Sequence, residues 1–168
     1  MPTSKTLAVF DALAARPPSS NFAQLDLRND HVVLDFDGTA AESVDFLGVL
    51  PRGYAASDLE VVVTWAATSA TSGNVVWQAQ LERHHIADAT LGTHDLDADD
   101  FGTAATATSA ASSTAGELAQ AVVGVAAADA DDPNAGESYR LRLTRLSTSG
   151  SDTMTGDAEL LAVELREV

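Results

Sequence analysis

The sequence predicts an all-β fold: a single antiparallel β-sandwich, jelly-roll-like, with about 8–9 strands and a flexible N-terminal arm. Three observations predict it. From residue 20 onward, apolar residues recur with period two, the spacing of strands that are buried on one face. Turn residues interrupt these runs about every ten residues. No helical stretches alternate with the runs, as a parallel α/β sheet would require.

Length and composition fit one domain. The chain has 168 residues, and beside 31 alanines it holds 45 larger apolar residues, enough for a substantial core. We assign residues 20–168 to the sandwich and residues 1–19 to the arm. Within the arm, residues 6–16 fit either a short helix stopped by Pro17-Pro18 or an extended segment that orders only against a partner.

Seven period-two runs are clear and two are weaker. The clear runs are residues 22–27, 31–36, 43–50, 58–66, 75–83, 139–146 and 158–166, each bounded by turn residues such as Asn29-Asp30 or Gly38-Thr39. The stretch 101–130 is rich in alanine, which favours helix, but its Thr, Ser and Gly residues favour strands and loops. We predict two further strands there, near residues 103–109 and 118–126.

The runs 58–66 and 75–83 are predicted to form an antiparallel hairpin. Each places its larger apolar residues on one face, and the connecting residues 67–74 are rich in Ser, Thr and Gly. A hairpin centred on Thr71 sets Trp65 opposite Trp77, so that the two apolar faces coincide.

Charge and composition exclude several classes of function. The formal net charge is −16, and so acidic a surface repels phosphate backbones, so we expect no nucleic-acid partner. The chain has no cysteine, which excludes disulfides and thiolate metal sites. We expect no membrane segment and, from residues 1–10, no secretion signal. The excess of 17 Asp over 8 Glu, with Lys5 as the only lysine, fits high-salt adaptation and equally the codon bias of a GC-rich genome.

The sharpest short motif is Asp35-Phe36-Asp37-Gly38-Thr39, which follows an apolar run. It resembles the first motif of haloacid-dehalogenase-like phosphatases, which implies Asp35 as nucleophile, Asp37 as acid/base and Thr64 as a phosphate contact. The rest of the chain speaks against this function, because the only lysine lies upstream and residues 39–64 leave no room for crossover helices. The simpler interpretation is a strand that ends in an Asp/Gly turn.

Asp95, Asp97 and Asp99 alternate as the oxygen ligands of a calcium loop do. The pattern then departs from an EF-hand, because Asp100 stands where glycine is needed and Thr106 where a bidentate glutamate is needed. A solvated loop is the favoured interpretation, so we expect no metal and keep these three aspartates as weak candidates.

The adjacent residues His84 and His85 point to opposite faces of a strand, so they cannot both ligate one zinc ion. The sequence shows no Ser/His/Asp order, no glycine-rich phosphate loop and no HExxH motif. We therefore expect no enzymatic activity, no catalytic residues and no cofactor.

Arg140, Arg142 and Arg145 concentrate a third of the basic charge in one strand. Arg140 and Arg142 share a face, and they fit either an acidic partner surface or cross-strand ion pairs. We favour ion pairs, with Glu159 or Glu164 as the acidic partners.

The order of several segments resembles a group of small β-rich proteins encoded among the structural genes of tailed bacteriophages. The segments that carry the resemblance are residues 34–37, 49–54, 63–65, 70–77, 97–101, 135–137 and 151–160. The resemblance implies a non-enzymatic virion structural protein, first of all a capsid decoration or cement protein on the outer surface of the head. It implies the major capsid protein as partner and self-association, with a homotrimer expected.

The alternative function is a receptor- or glycan-binding module of a fibre or tail. It predicts Trp or Tyr side chains exposed beside a groove, and Trp65 and Trp77 are the candidates for such a platform. Aromatic residues on the apolar face of a strand are more often core, which is the competing interpretation.

Overall fold

The structure, a computed structural model that describes residues 4–168, consists of two antiparallel β-sheets packed face to face. The predicted β-sandwich is thereby confirmed. Ten strands are present among these residues: β1 (Lys5–Asp11), β2 (Gln24–Arg28), β3 (His31–Phe36), β4 (Glu42–Val49), β5 (Leu59–Ala67), β6 (Asn74–His84), β7 (Ala105–Ala110), β8 (Leu118–Val125), β9 (Ser138–Arg145) and β10 (Ala158–Glu167). The helical content of residues 4–168 is two short 3₁₀ turns, Ala12–Ala14 and Ala127–Ala130, and no helix there is long and apolar enough to cross a bilayer.

The larger sheet has the order β2-β3-β10-β5-β8, and β1 also pairs with β10. Two strands share one edge of β10, since β3 pairs with its first residues and β1 with its last. The smaller sheet has the order β4-β9-β6-β7. Each of the nine predicted runs is a strand, because period-two patterning and turn residues both mark the same segments.

The N-terminal segment departs from one of its two predictions. The helix expected within residues 6–16 is wrong, since Lys5–Asp11 is strand β1 and pairs antiparallel with β10. An isolated helix of this length is marginal, whereas the edge of β10 offers a full ladder of hydrogen bonds. The extended alternative fits, but the partner is the chain's own β10. Residues 1–3 of the proposed arm lie outside the described residues.

The predicted hairpin between β5 and β6 is wrong. The two strands lie in opposite sheets, where β5 pairs with β10 and β8, and β6 pairs with β7 and β9. The connecting loop crosses between sheets that pack ~10 Å apart in a sandwich. Trp65 and Trp77 nevertheless meet, because their ring centroids lie 6.1 Å apart across the core.

The core lies between the sheets and contains one buried ion pair. Arg145 is fully buried, and its Nη2 lies 3.0 Å from Oδ1 of Asp152, whose side chain is also buried. Its Nε also donates to Oδ2 of Asp152 at 3.2 Å, and the other guanidinium hydrogens are donated to the carbonyl oxygens of Phe36, Met154 and Gly156. With these partners the arginine holds the loop before β10 against the end of β9, and its desolvated charge is compensated.

Candidate functional site

The outer face of the four-stranded sheet is polar. In β6, core residues alternate with outward ones, so Gln78, Gln80, Glu82 and His84 lie on the face opposite to Trp77 and Leu81. In β9 the same alternation directs Arg140, Arg142 and Thr144 outward. Strand pairing then sets Glu82 beside Arg140 and Gln80 beside Arg142.

Two arginines on this face are held by carboxylates of both neighbouring strands. Arg142 donates from Nε to Oδ1 of Asp45 at 2.7 Å and from Nη2 to Oδ2 at 2.8 Å, a bidentate pair. Arg140 donates from Nε to Oε2 of Glu82 at 2.6 Å and from Nη2 to Asp99 of the loop after β6. Both guanidinium groups are therefore fixed in position.

The acidic partners that the sequence suggested for these arginines are wrong. Glu159 and Glu164 belong to β10 in the other sheet, where Glu159 pairs with Arg28 and Glu164 accepts a hydrogen bond from Thr6. The predicted type of contact, a cross-strand ion pair, is present with different residues. Residue spacing gave the face of each arginine, but only the strand order decides which carboxylates stand next to it.

The network keeps its charges at neutral pH. Burial would raise the pKa of Glu82, but hydrogen bonds from Arg140 and from the backbone N–H of Asp100 outweigh it, and this pKa is lowered. The hydrogen bond from Arg140 also lowers the pKa of Asp99. Hydrogen bonding to Asp45 raises the pKa of Arg142. The face therefore presents alternating fixed charges rather than neutral groups.

Phe101 packs over both arginines. The guanidinium carbons of Arg140 and Arg142 lie 4.5 and 4.4 Å from the centroid of its ring, within the range of cation–π contacts. The next residue, Gly102, accepts a hydrogen bond from Nε2 of Gln80. These contacts attach the loop between β6 and β7 to the sheet face.

Beside this loop the face opens into a groove of about 420 Å³, here called the polar groove. Its floor is formed by side chains of β4 and β9, one wall by the segment before β2, and the other by Asp99; the lining residues are Pro18, Ser19, Ser20, Asn21, Ala41, Ser43, Asp99, Arg140, Arg142 and Thr144. Backbone bridges from Arg16 to Asp45 and from Phe22 to Ser43 hold the first wall against β4. The groove is thus built from hydrogen-bonding side chains on a rigid sheet.

The floor offers donors and acceptors side by side. The hydroxyl groups of Ser43 and Thr144 lie 2.8 Å apart and hydrogen-bond to each other. Nη1 of Arg142 makes no hydrogen bond within residues 4–168, so its two N–H groups are available to a ligand. Such an array suits a ligand that carries several hydroxyl groups.

Three histidines and two acidic residues form a cluster at the far end of β6. Glu82, His84 and His94 bring potential ligand atoms within 4.8 Å of one another, and so do His85, His94 and Asp100. As the strand geometry required, His84 and His85 fall into different groups. His94 directly precedes the aspartates that the sequence assigns to a solvated loop, but its side chain is only 5% exposed.

The weak metal candidates Asp95, Asp97 and Asp99 belong to neither group. Oδ1 of Asp95 accepts a hydrogen bond from the backbone N–H of Asp97, which closes a local turn. Asp99 is paired with Arg140. In residues 4–168 the sites that bring three potential metal ligands together are therefore histidine sites, which the alternating aspartates did not indicate.

The motif 35–39 is the end of β3 followed by a turn, as its simpler interpretation predicted. The phosphatase function is wrong on fold grounds, because all strand pairs of residues 4–168 are antiparallel and no crossover helix is present there. Lys5 lies near Glu167 at the end of β10, whereas Asp35 pairs with Glu159 at its start. Thr64 lies on β5, beyond β10 from Asp35.

Asp35 and Asp37 line a pocket of about 380 Å³ together with Asp26, Glu42 and Asp157. Burial and the neighbouring carboxylates, Asp157 first among them, raise the pKa of Asp35 to about 6. No basic side chain of residues 4–168 lines this pocket, so its described lining repels a phosphate group rather than binding one.

The aromatic platform expected for glycan binding is absent from the described residues. Trp65 and Trp77 are 0% exposed, and Tyr54 and Tyr139 are also buried. The competing interpretation, that the tryptophans are core, is confirmed. Sequence reasoning missed the polar groove, whose wall and floor come from segments far apart in the chain; the one available signal was the pairing of two outward arginines in β9.

No family model and no curated protein matches the sequence. Of the solved structures, 44 chains match. One is the arabinose-bound α-L-arabinofuranosidase MgGH51, with a TM-score of 0.47 and 14% identity over 90% of this chain; the match spans 23% of the enzyme. Another is the carbohydrate-binding module TmCBM27, described for specific mannan recognition, with a TM-score of 0.41 and 9% identity over 99% of each chain. These similarities are too low to indicate a function for this chain.

Proposed function

We propose that this chain is a non-catalytic module that binds a neutral oligosaccharide in the polar groove. The observation that carries the proposal is the floor of the groove, where guanidinium and hydroxyl groups of β4 and β9 stand in a rigid row. Recognition by a row of polar groups is selective, because a ligand that lacks the matching hydroxyl leaves a partly buried group unpaired.

The charges favour a neutral ligand. Arg140 and Arg142 are matched by Asp45, Glu82 and Asp99, so the face has no unbalanced positive charge. The chain as a whole carries −16, which repels acidic ligands at long range. Sugar hydroxyl groups both donate and accept, and they fit a floor that alternates N–H donors with hydroxyl and carboxylate acceptors.

The absence of an exposed Trp or Tyr defines the mode of binding. Without a large aromatic surface, binding rests on hydrogen bonds to hydroxyl groups, each with a net contribution of about 0.5–1.5 kcal/mol. Several such contacts give weak to moderate affinity, in a range that calorimetry measures directly.

The test is calorimetric titration of the full chain with a panel of neutral and acidic oligosaccharides. Asn21 lines the groove and has φ 51°, so Asn21→Gly removes its amide without backbone strain. The double variant Ser43→Ala/Thr144→Val removes both partners of one floor hydrogen bond. Each change is expected to weaken binding about 3–10-fold, because it removes one or two ligand contacts.

Asn29→Gly is the matched control, since Asn29 also has positive φ but lies in the turn between β2 and β3. It is expected to leave affinity unchanged. Absence of binding to every neutral oligosaccharide, or equal loss with Asn29→Gly, would contradict the proposal.

The virion role implied by the phage resemblance is a second candidate function, and one surface favours it. Leu13, Phe22 and Leu25 are exposed around an apolar groove of about 630 Å³ that Leu34 and Val44 also line. Exposed apolar surface of this kind marks protein contacts, and the major capsid protein is the partner proposed for it. Mass spectrometry of purified particles tests this role: hundreds of copies per particle support it, and absence from particles refutes it.

A further inference from the structure

We propose that Glu82, His84 and His94 bind one zinc ion at the edge of the four-stranded sheet. The chain has four histidines, and three of them, His84, His85 and His94, lie in the cluster at the end of β6. Two of these, His84 and His94, belong to the proposed site, although an irregular loop separates them in the chain. None of the three ligands lines the polar groove, although Glu82 contacts its floor residue Arg140. The test of the zinc site needs no sugar.

The distances fit a shared ion. Nε2 of His84 lies 3.4 Å from Oε2 of Glu82, and Nε2 of His94 lies 3.7 Å from Oε1 of the same carboxylate. Atoms bound to one tetrahedral zinc at ~2.0–2.1 Å lie roughly 3.3 Å from each other. These two distances run to different oxygens of Glu82, and one ligand atom of each of the three side chains lies within 4.8 Å of the others. The side chains therefore need to approach one another by at most ~1.5 Å.

His94 supplies an independent indication of a ligand. Its side chain is 5% exposed, and its Nε2 is buried without any hydrogen-bond partner in residues 4–168. A buried polar atom without a partner destabilises the fold, and proteins rarely keep one without a function. A zinc ion between His94 and Glu82 satisfies this nitrogen.

Outer contacts already orient the ligands. Nδ1 of His84 lies 3.1 Å from Oγ of Ser138, so the tautomer that donates this hydrogen leaves the Nε2 lone pair towards Glu82. The backbone N–H of Asp100 donates to Oε1 of Glu82 at 2.8 Å and fixes the carboxylate. Metal sites use such outer hydrogen bonds to hold imidazole and carboxylate ligands in place.

The donor set selects zinc over calcium. Two imidazoles and one carboxylate are a usual zinc set, whereas calcium takes six to eight oxygen ligands. Arg140 also contacts Glu82, but each carboxylate oxygen can accept twice, and Arg140 keeps Asp99 as a second partner.

The three ligands leave a fourth position of the ion open. His84 and His94 line a groove of about 610 Å³ whose rim carries the exposed apolar residues Ile86 and Leu96. Zinc reaches the site through this groove, and water or a small ligand occupies the fourth position, as in zinc sites with three protein ligands.

The experiment titrates the metal-depleted full chain with Zn²⁺ by calorimetry in physiological salt, which suppresses unspecific binding to the acidic surface. We expect one ion per chain, no competition from Ca²⁺, and a tetrahedral absorption spectrum when Co²⁺ replaces zinc. Ser138→Ala removes an outer contact and is expected to weaken zinc binding by about 10-fold. His84→Asn and His94→Asn each remove a ligand and are expected to weaken zinc binding by more than that.

His31→Asn is the matched control, because His31 is the one histidine outside the cluster, and it is expected to keep full affinity. Thermal unfolding of each metal-free variant verifies that it folds. No stoichiometric binding by the native chain, or undiminished binding by a folded His94→Asn, overturns the proposal. Loss of binding with His85→Asn but not with His84→Asn overturns this ligand set, because it assigns the ion to His85, His94 and Asp100.

Discussion

Asp35 is a half-buried carboxyl whose surroundings favour its neutral form. Its Oδ1 has no hydrogen-bond partner in residues 4–168, and Asp26, Glu42 and Asp157 line the same pocket. Burial, followed by repulsion from nearby carboxylates, raises its pKa from 3.8 to about 6. The folded state therefore holds this proton more tightly than the unfolded state does.

The pH dependence of stability follows from that shift. The stabilisation by protonated Asp35 is fully present below pH ~4 and is lost as the pH rises through about 6. Asp35→Asn keeps this side chain neutral at every pH. At pH 7 the free energy of unfolding of the variant is therefore expected to exceed that of the native chain by on the order of 1–2 kcal/mol, a value that is reduced for solvent screening. Urea unfolding at pH 4 and pH 7 measures the difference.

Asp37→Asn is the control of opposite sign. Hydrogen bonds from Thr39 and Ala40 lower the pKa of Asp37, so its contribution is present at neutral pH and is lost as the pH falls. Asp37→Asn is therefore expected to destabilise the protein at pH 7. If both substitutions changed the free energy of unfolding at pH 7 in the same direction, the raised pKa of Asp35 would not explain the effect of Asp35→Asn.

At the scale of elements, the connection between β5 and β6 determines the architecture. Most residues of both strands are buried, and the loop between the strands carries the chain from one sheet to the other. Gly73 closes this loop with φ 97°, and a Cβ there would lie 2.7 Å from the Cα of Met154. The crossing therefore depends on a residue without a side chain.

Gly73→Ala is expected to lower the free energy of unfolding by about 2–3 kcal/mol, because positive φ and the backbone contact both oppose a methyl group. Gly92→Ala tests positive φ alone, since a Cβ at Gly92 meets nothing within 4 Å, and about 1 kcal/mol is expected. Gly150→Ala has open space and no positive φ, and it is expected to stay within about 0.5 kcal/mol. Equal effects of all three in urea unfolding would refute this explanation.

The whole molecule carries a large excess of negative charge. The net charge of −16 is spread over 168 residues, and only nine basic residues oppose 25 acidic ones. Self-repulsion of this size destabilises the folded state and is screened by salt. This repulsion is the same whether the acidic residues reflect codon bias or high-salt adaptation.

We expect the free energy of unfolding to rise by on the order of 1 kcal/mol between 0.1 and 1 M KCl, as the Debye length falls from ~10 to ~3 Å. Urea unfolding at each KCl concentration measures it, and an uncharged osmolyte separates screening from general effects on burial. If the free energy of unfolding does not change with KCl, the carboxylates lie too far apart for their repulsion to destabilise the folded state.

Strand existence was predictable, whereas strand pairing was not. Alternation marks which segments are strands, and nine of the ten were found in this way. Alternation does not say which strands are neighbours, so the β5–β6 hairpin and the partners of Arg140 were predicted wrongly. Strand β1 was not predicted, because a short helix and an extended segment both fit its residues. Only the free edge of β10, with which β1 pairs, excludes the helix.

The candidate sites follow the same division. Sequence spacing showed that Arg140 and Arg142 share a face and that His84 and His85 do not. It gave no sign of the loop that brings His94 to Glu82, since contacts between irregular segments and strands depend on packing.

The sequence by itself therefore determined the class of fold, the faces of the strands and the acidic surface, because these depend on local periodicity and composition. The tertiary structure alone decided the order of the strands, the polar groove and the histidine cluster. These depend on which segments, distant in the chain, pack side by side to bury the apolar faces.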